Sequence, residues 1–93
     1  MKRSVKEAGT QVLFVGIDVH KRTYHVTGVW GDGREEFSTG MAADQDALVR
    51  FLSRWGLDRI EAVYEAGYFG YSLHDYLIEC GAQCIVTPPS LLP

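Results

Sequence analysis

Two short apolar runs decide the fold. They are Val12-Leu13-Phe14-Val15-Gly16-Ile17-Asp18 and Ile60-Glu61-Ala62-Val63-Tyr64-Glu65. Each is too short for a stable helix and rich in residues that favour strands, so each reads as a buried strand. The first is continuous enough to suggest cover on both faces. Both runs stop on a carboxylate, Asp18 and Glu65. If the two strands are parallel neighbours, these acids meet at the strand C-termini, where open α/β sheets place ligands and metals. Two converging carboxylates repel unless a cation lies between them.

The surrounding pattern supplies the rest of the sheet. Thr23 to Trp30 reads as a second strand, and Gly31-Asp32-Gly33 as a hairpin turn into a third, Arg34 to Thr39. Asp44 is placed to cap a helix running to Trp55, with Leu48, Phe51, Leu52 and Trp55 on one stripe and Gly56 as its stop. After the Glu65 strand, a loop holding Gly67 and Gly70 opens a second helix with Leu73, Tyr76, Leu77 and Cys80. Gly81 ends it, and Cys84 to Thr87 forms a fifth strand before Pro88-Pro89. Tight turns make the first three strands an antiparallel meander, while helical crossovers make the fourth and fifth parallel. With the first strand central, the order is 3-2-1-4-5: a ribonuclease-H-like mixed sheet with helices after strands three and four.

Composition bounds the function. The 93 residues make one domain or part of one, and residues 11–93 are assigned to it. Residues 1–10 lack apolar periodicity and read as a flexible basic tail carrying Lys2, Arg3 and Lys6. A net charge of −3 argues against a strong autonomous DNA binder. No segment reads as a secretion signal or a membrane span. Cys80 and Cys84 lack the spacing of a redox or zinc motif and read as free thiols.

Asp18 and Glu65 are therefore the candidate catalytic and metal-binding residues, for Mg²⁺ or Mn²⁺. Two carboxylates alone bind such an ion weakly, because it keeps waters and needs further acids. Gly16 leaves space beside Asp18 for a close approach. His20, Lys21 and Arg22 follow Asp18, where they suit phosphate contacts as well as a solvated turn. Tyr68, among the aromatics after Glu65, suits base stacking as well as loop anchoring. His25 and His74 read as ordinary core or surface histidines.

Three segments carry a family resemblance. Val15-Gly16-Ile17-Asp18-Val19-His20-Lys21 resembles the opening strand of the Asp-Glu-Asp-Asp (DEDD) transposases. Val63-Tyr64-Glu65-Ala66-Gly67, with Tyr68, Gly70 and Leu73 beyond, resembles their second acidic motif. Gly81 to Pro89 resembles the strand and proline turn after it. These are the one-ten/eleven-eleven group of bacterial insertion-sequence transposases, related to Piv-type invertases. The resemblance implies a RuvC-like domain in which four acids bind Mg²⁺ to cleave and rejoin DNA, with Asp18 and Glu65 matching the first two. It further implies a bacterial cytoplasmic protein acting on DNA, with an element-encoded guide RNA for the full-length enzyme.

The family's third and fourth acids lie on a later helix, and the sequence stops at Pro93. The expectation is a fragment without its C-terminal helix, inactive alone, that self-associates through exposed apolar surface including Leu91 and Leu92. Two rival readings are a non-catalytic α/β assembly module and an actin-like or sugar-kinase-type ATP-binding fragment. The latter class needs a glycine-rich phosphate turn, and here Val19-His20-Lys21 follows Asp18.

Overall fold

The computed structural model describes residues 11–67 and 70–88. The expected tail at 1–10, Tyr68, and Leu91 and Leu92 lie outside the described residues. Five strands form one sheet: β1 (Leu13–Val19), β2 (Thr23–Trp30), β3 (Glu35–Ala42), β4 (Ile60–Glu65) and β5 (Gln83–Thr87). Their order is β3-β2-β1-β4-β5, with β1–β2 and β2–β3 antiparallel and β1–β4 and β4–β5 parallel. Helix α1 (Gln45–Leu52) follows β3 and α2 (Ser72–Glu79) follows β4. This is the ribonuclease-H-like topology read from the sequence.

Local chemistry explains the element ends. The Asp44 carboxylate accepts from the backbone N–H groups of Asp46 (2.9 Å) and Ala47 (3.2 Å), capping α1 as expected. The helix tightens to a 3₁₀ turn at Ser53–Trp55 rather than continuing as α. There the Ser53 hydroxyl donates to the Arg50 carbonyl at 2.7 Å. Gly81 follows α2 with φ of +107°, a conformation costly for other residues. β3 runs on to Ala42, three residues past the expected end, because its ladder with β2 continues through His25↔Gly40 to Thr23↔Ala42.

The core lies on one face of the sheet. Leu13, Val15 and Ile17 of β1, Tyr24 and Val26 of β2, and Ile60, Ala62 and Tyr64 of β4 pack with Leu48 and Leu52 of α1 and Leu73 and Leu77 of α2. The expectation of cover on both faces of the first strand is corrected here. Among the described residues both helices join one core cluster, and the other face leaves Phe14 46%, Val63 38% and Ile85 60% exposed. The run looked continuous because Phe14 occupies an outward position that a surface strand would usually give to a polar residue.

An aromatic group ties α1 to the meander. The Phe37 ring stacks on Trp55 with centroids 4.8 Å apart and meets the Phe51 edge at 4.9 Å. Phe37 fits because its partner across the ladder is Gly28. A β-carbon at Gly28 would lie 2.4 Å from Phe37 Cε2. Glu36 adds a polar clasp, accepting from the indole N–H of Trp30 (2.7 Å) and of Trp55 (3.1 Å). These two donors, Trp30 first, hold its carboxyl below the ordinary 4.5. Tyr76 of α2 donates to the Asp46 carboxylate of α1, joining the two helices.

Two outcomes follow. Gly28→Ala forces the Phe37 ring out of its stack and lowers stability by about 1–3 kcal/mol, read as a lower urea midpoint at unchanged slope. The Glu36 clasp has a depressed folded pKa, so its contribution is full above the ordinary value and is lost as pH falls through the lower folded value. Trp30 and Trp55 are the only tryptophans, so indole fluorescence reports it. Emission should change in an acid step below pH 4.5, and Glu36→Gln should abolish that step.

Candidate metal and nucleic-acid site

The β1–β4 ladder carries the site. Its paired residues run from Leu13↔Ile60 to Ile17↔Tyr64, so Asp18 and Glu65 are the next residue on each strand. Strand alternation puts Ile17 and Tyr64 in the core and sends both acids to the open face. Adjacent strands lie about 4.8 Å apart, close enough for two carboxylates to share a cation. A shallow cavity of about 180 Å³ at this end is lined by Ile17, Asp18, Val19, Tyr64, Glu65, Ala66 and Gly67. The expected convergence of the two strand ends is thus present in the backbone register.

Both acids are exposed, so the cost of burying a carboxylate is no argument for a metal here. The register is the argument. His20 Nε2 lies 3.1 Å from Asp18 Oδ2. Lys21 and Arg22 are exposed in the same β1–β2 turn. Together these residues surround the strand end with imidazole and cationic groups. Among the described residues no three His, Cys, Asp or Glu side chains are grouped to hold a metal. Asp18 and Glu65 fit a hard divalent cation as two oxygen donors, short of a full set.

The sequence reading missed two neighbours. His25 is the direct partner of Asp18 on β2, and Thr87 is the partner of Glu65 on β5. His25, Asp18, Glu65 and Thr87 therefore form one row across four strands. The usable signal was alternation: each lies an even number of residues from an outward position on its strand. A larger concavity of about 330 Å³ lies at the other end, around Gln11, Trp30, Gly31, Asp32 and Arg34. Asp32 and Arg34 there form a 2.8 Å ion pair.

Tyr64 ties Gly70 and the start of α2 to β4. Its ring is in the core, and its hydroxyl donates to the Gly70 carbonyl at 2.7 Å. The same oxygen accepts from the His74 backbone N–H at 3.1 Å. Helix α2 has no side-chain cap of its own at Tyr71, so this phenol from the neighbouring strand satisfies one of its first-turn donors. His74, read from sequence as an ordinary core or surface histidine, is half-buried. Cys84 is buried, which pushes its thiol up to about 11, while Cys80 is half-buried.

Comparison with known proteins places this geometry in context. No family model matches the chain. Over 84 residues it is 30% identical to the transposase for insertion sequence element IS1533 of Leptospira borgpetersenii, a match covering 87% of this chain. The chain spans 24% of that relative's length. The similarity supports a relation to insertion-sequence transposases. Among solved structures, the Aquifex aeolicus PPX-GPPA enzyme superposes with a TM-score of 0.47 at 13% identity, over 85% of this chain and 36% of that one. A likeness at that level carries no argument about function. Among the described residues no helix is long and apolar enough to cross a membrane.

Tyr64→Phe leaves the Gly70 carbonyl and the His74 N–H without their shared partner. The expected loss is about 1–2 kcal/mol in urea unfolding, with amide exchange quickening at Gly70 and His74 before the core strands.

Proposed function

We propose that this chain is part of a metal-dependent DNA transposase, and that Asp18 and Glu65 are two ligands of its catalytic divalent cation. One observation carries the reading: the acids occupy equivalent positions on adjacent parallel strands and face the same way. The similarity to the IS1533 transposase supports it, and so do the motifs around both acids.

In the DEDD reading, the pair is the first half of a four-acid RuvC-like site for Mg²⁺ or Mn²⁺. When bound, such ions stabilise the attacking and leaving oxygens of a phosphodiester displacement. Asp18 and Glu65 would each offer a carboxylate to the ion. His20, Lys21 and Arg22 meet phosphates at the rim, and Gly16 leaves the face bare for a close approach. Two acids do not complete an octahedral ion, so further carboxylates of the full enzyme finish the site. The 93-residue chain alone then binds metal weakly and does not cut DNA. Its substrate is DNA, and assembly of copies is part of the reading because Val63 and Ile85, with Phe14 further back along β1, present apolar surface on the face that carries the acids.

Titrating Mn²⁺ into the isotope-labelled chain tests the reading by paramagnetic broadening. Amides around Asp18 and Glu65 should broaden at millimolar metal, and Glu65→Ala should weaken the effect about tenfold or more. Broadening centred elsewhere, or indifferent to Glu65→Ala, would refute the site.

A further inference from the structure

The open face continues past Asp18 toward β3, and its chemistry there differs from that of the acids. The ladders place two rows on that face. One is Gly40, His25, Asp18 and Glu65, and the next is Ser38, Thr27, Gly16 and Val63. His25 Nε2 lies 2.9 Å from Ser38 Oγ, and Thr27 Oγ1 lies 3.3 Å from the same oxygen. One imidazole and two hydroxyls thus converge beside the first acid. All three can donate hydrogen bonds, and none adds negative charge.

Space accompanies the chemistry. Among the described residues, a β-carbon at Gly16 would meet nothing within 4 Å. Among the same residues, one at Gly40 would meet His25 Nδ1 and the Tyr24 carbonyl, both at 3.9 Å, which is ordinary contact. Two side-chain-free positions therefore flank the cluster, one toward the acids and one toward the sheet edge. Such gaps let another backbone lie close to the sheet. A cross-strand Ser–Thr contact by itself only steadies a hairpin. Here it shares its central oxygen with a histidine that is the direct partner of Asp18.

We propose that His25, Ser38 and Thr27 form a phosphodiester-binding subsite that holds the DNA strand next to the linkage at Asp18 and Glu65. The strand crosses the bare positions at Gly16 and Gly40, with its backbone oxygens toward the His25–Ser38 pair. Lys21 and Arg22, at the end of the same face, supply the non-directional charge that draws it in. This inference rests on the metal-site reading above, and it adds where the substrate strand runs. His25 is a binding residue in it and moves no proton.

The test uses the full 93-residue chain with saturating Ca²⁺, a short single-stranded thymidine oligonucleotide, and NMR of labelled protein. Binding should shift the His25 ring and the amides of Thr27, Ser38 and Gly40. An oligonucleotide with an uncharged methylphosphonate backbone should lose that response. The double variant His25→Ala, Ser38→Ala should bind about tenfold more weakly. His25→Gln, which keeps a side-chain donor, should recover part of the loss. These positions are exposed, so the core resonances of Leu48 and Leu77 should stay in place and vouch for the fold.

Shifts confined to the Lys21–Arg22 turn, or full affinity in the double variant, would overturn the subsite. Mn²⁺ broadening separates this from the parent reading. Broadening at Asp18 and Glu65 without a His25 response to DNA removes the subsite alone. A His25 response without broadening keeps the subsite and removes the metal reading.

Discussion

The parallel pairing of β1 with β4 is the constraint on which the rest depends. It stacks Leu13 beside Ile60, Val15 beside Ala62 and Ile17 beside Tyr64, which is the centre of the core. The same register, one residue further on, sets Asp18 beside Glu65. Packing and chemistry are thus consecutive positions of one ladder. A slip of one residue on either strand would turn its acid into the core and its apolar set into water, at a cost no small domain could carry. The hydrophobic pattern therefore fixes the relative position of the two carboxylates.

Much of this was legible in the residues. Strand order followed from turn length: Gly31-Asp32-Gly33 permits only a hairpin, while the segments holding α1 and α2 are long enough for parallel crossovers. Asp44 and Gly81 marked helix ends because their chemistry is local. The first strand's environment was not legible. Phe14 is apolar and outward, and a one-dimensional pattern cannot tell an uncovered phenylalanine from a covered one. The extent of β3 was hidden for a related reason, since Gly40 looks like a stop until its pairing with His25 is known.

The candidate site divides in the same way. Asp18 and Glu65 stood out because each ends an apolar run. His25, Ser38 and Thr27 did not, because they are polar residues on alternating strands whose meeting depends on cross-strand register. Both acids are exposed, so nothing about their burial marks them out. Position along the ladder does. Tyr64 lay unread for the opposite cause: its ring is ordinary core, and only the hydroxyl at the ring's far end reaches the loop.

The β1–β4 pairing also says when the two acids meet. The meander of β1, β2 and β3 closes through short turns, but β4 must return to β1 across residues 20–59, and such non-local closure is entropically slow. Until that step is made, Asp18 and Glu65 belong to separate parts of a loosely ordered chain. Their convergence is then a property of the closed β1–β4 ladder. Any ion that needs both carboxylates acts as a late clamp, favouring the finished sheet over its precursors and coupling metal affinity to the last stage of folding.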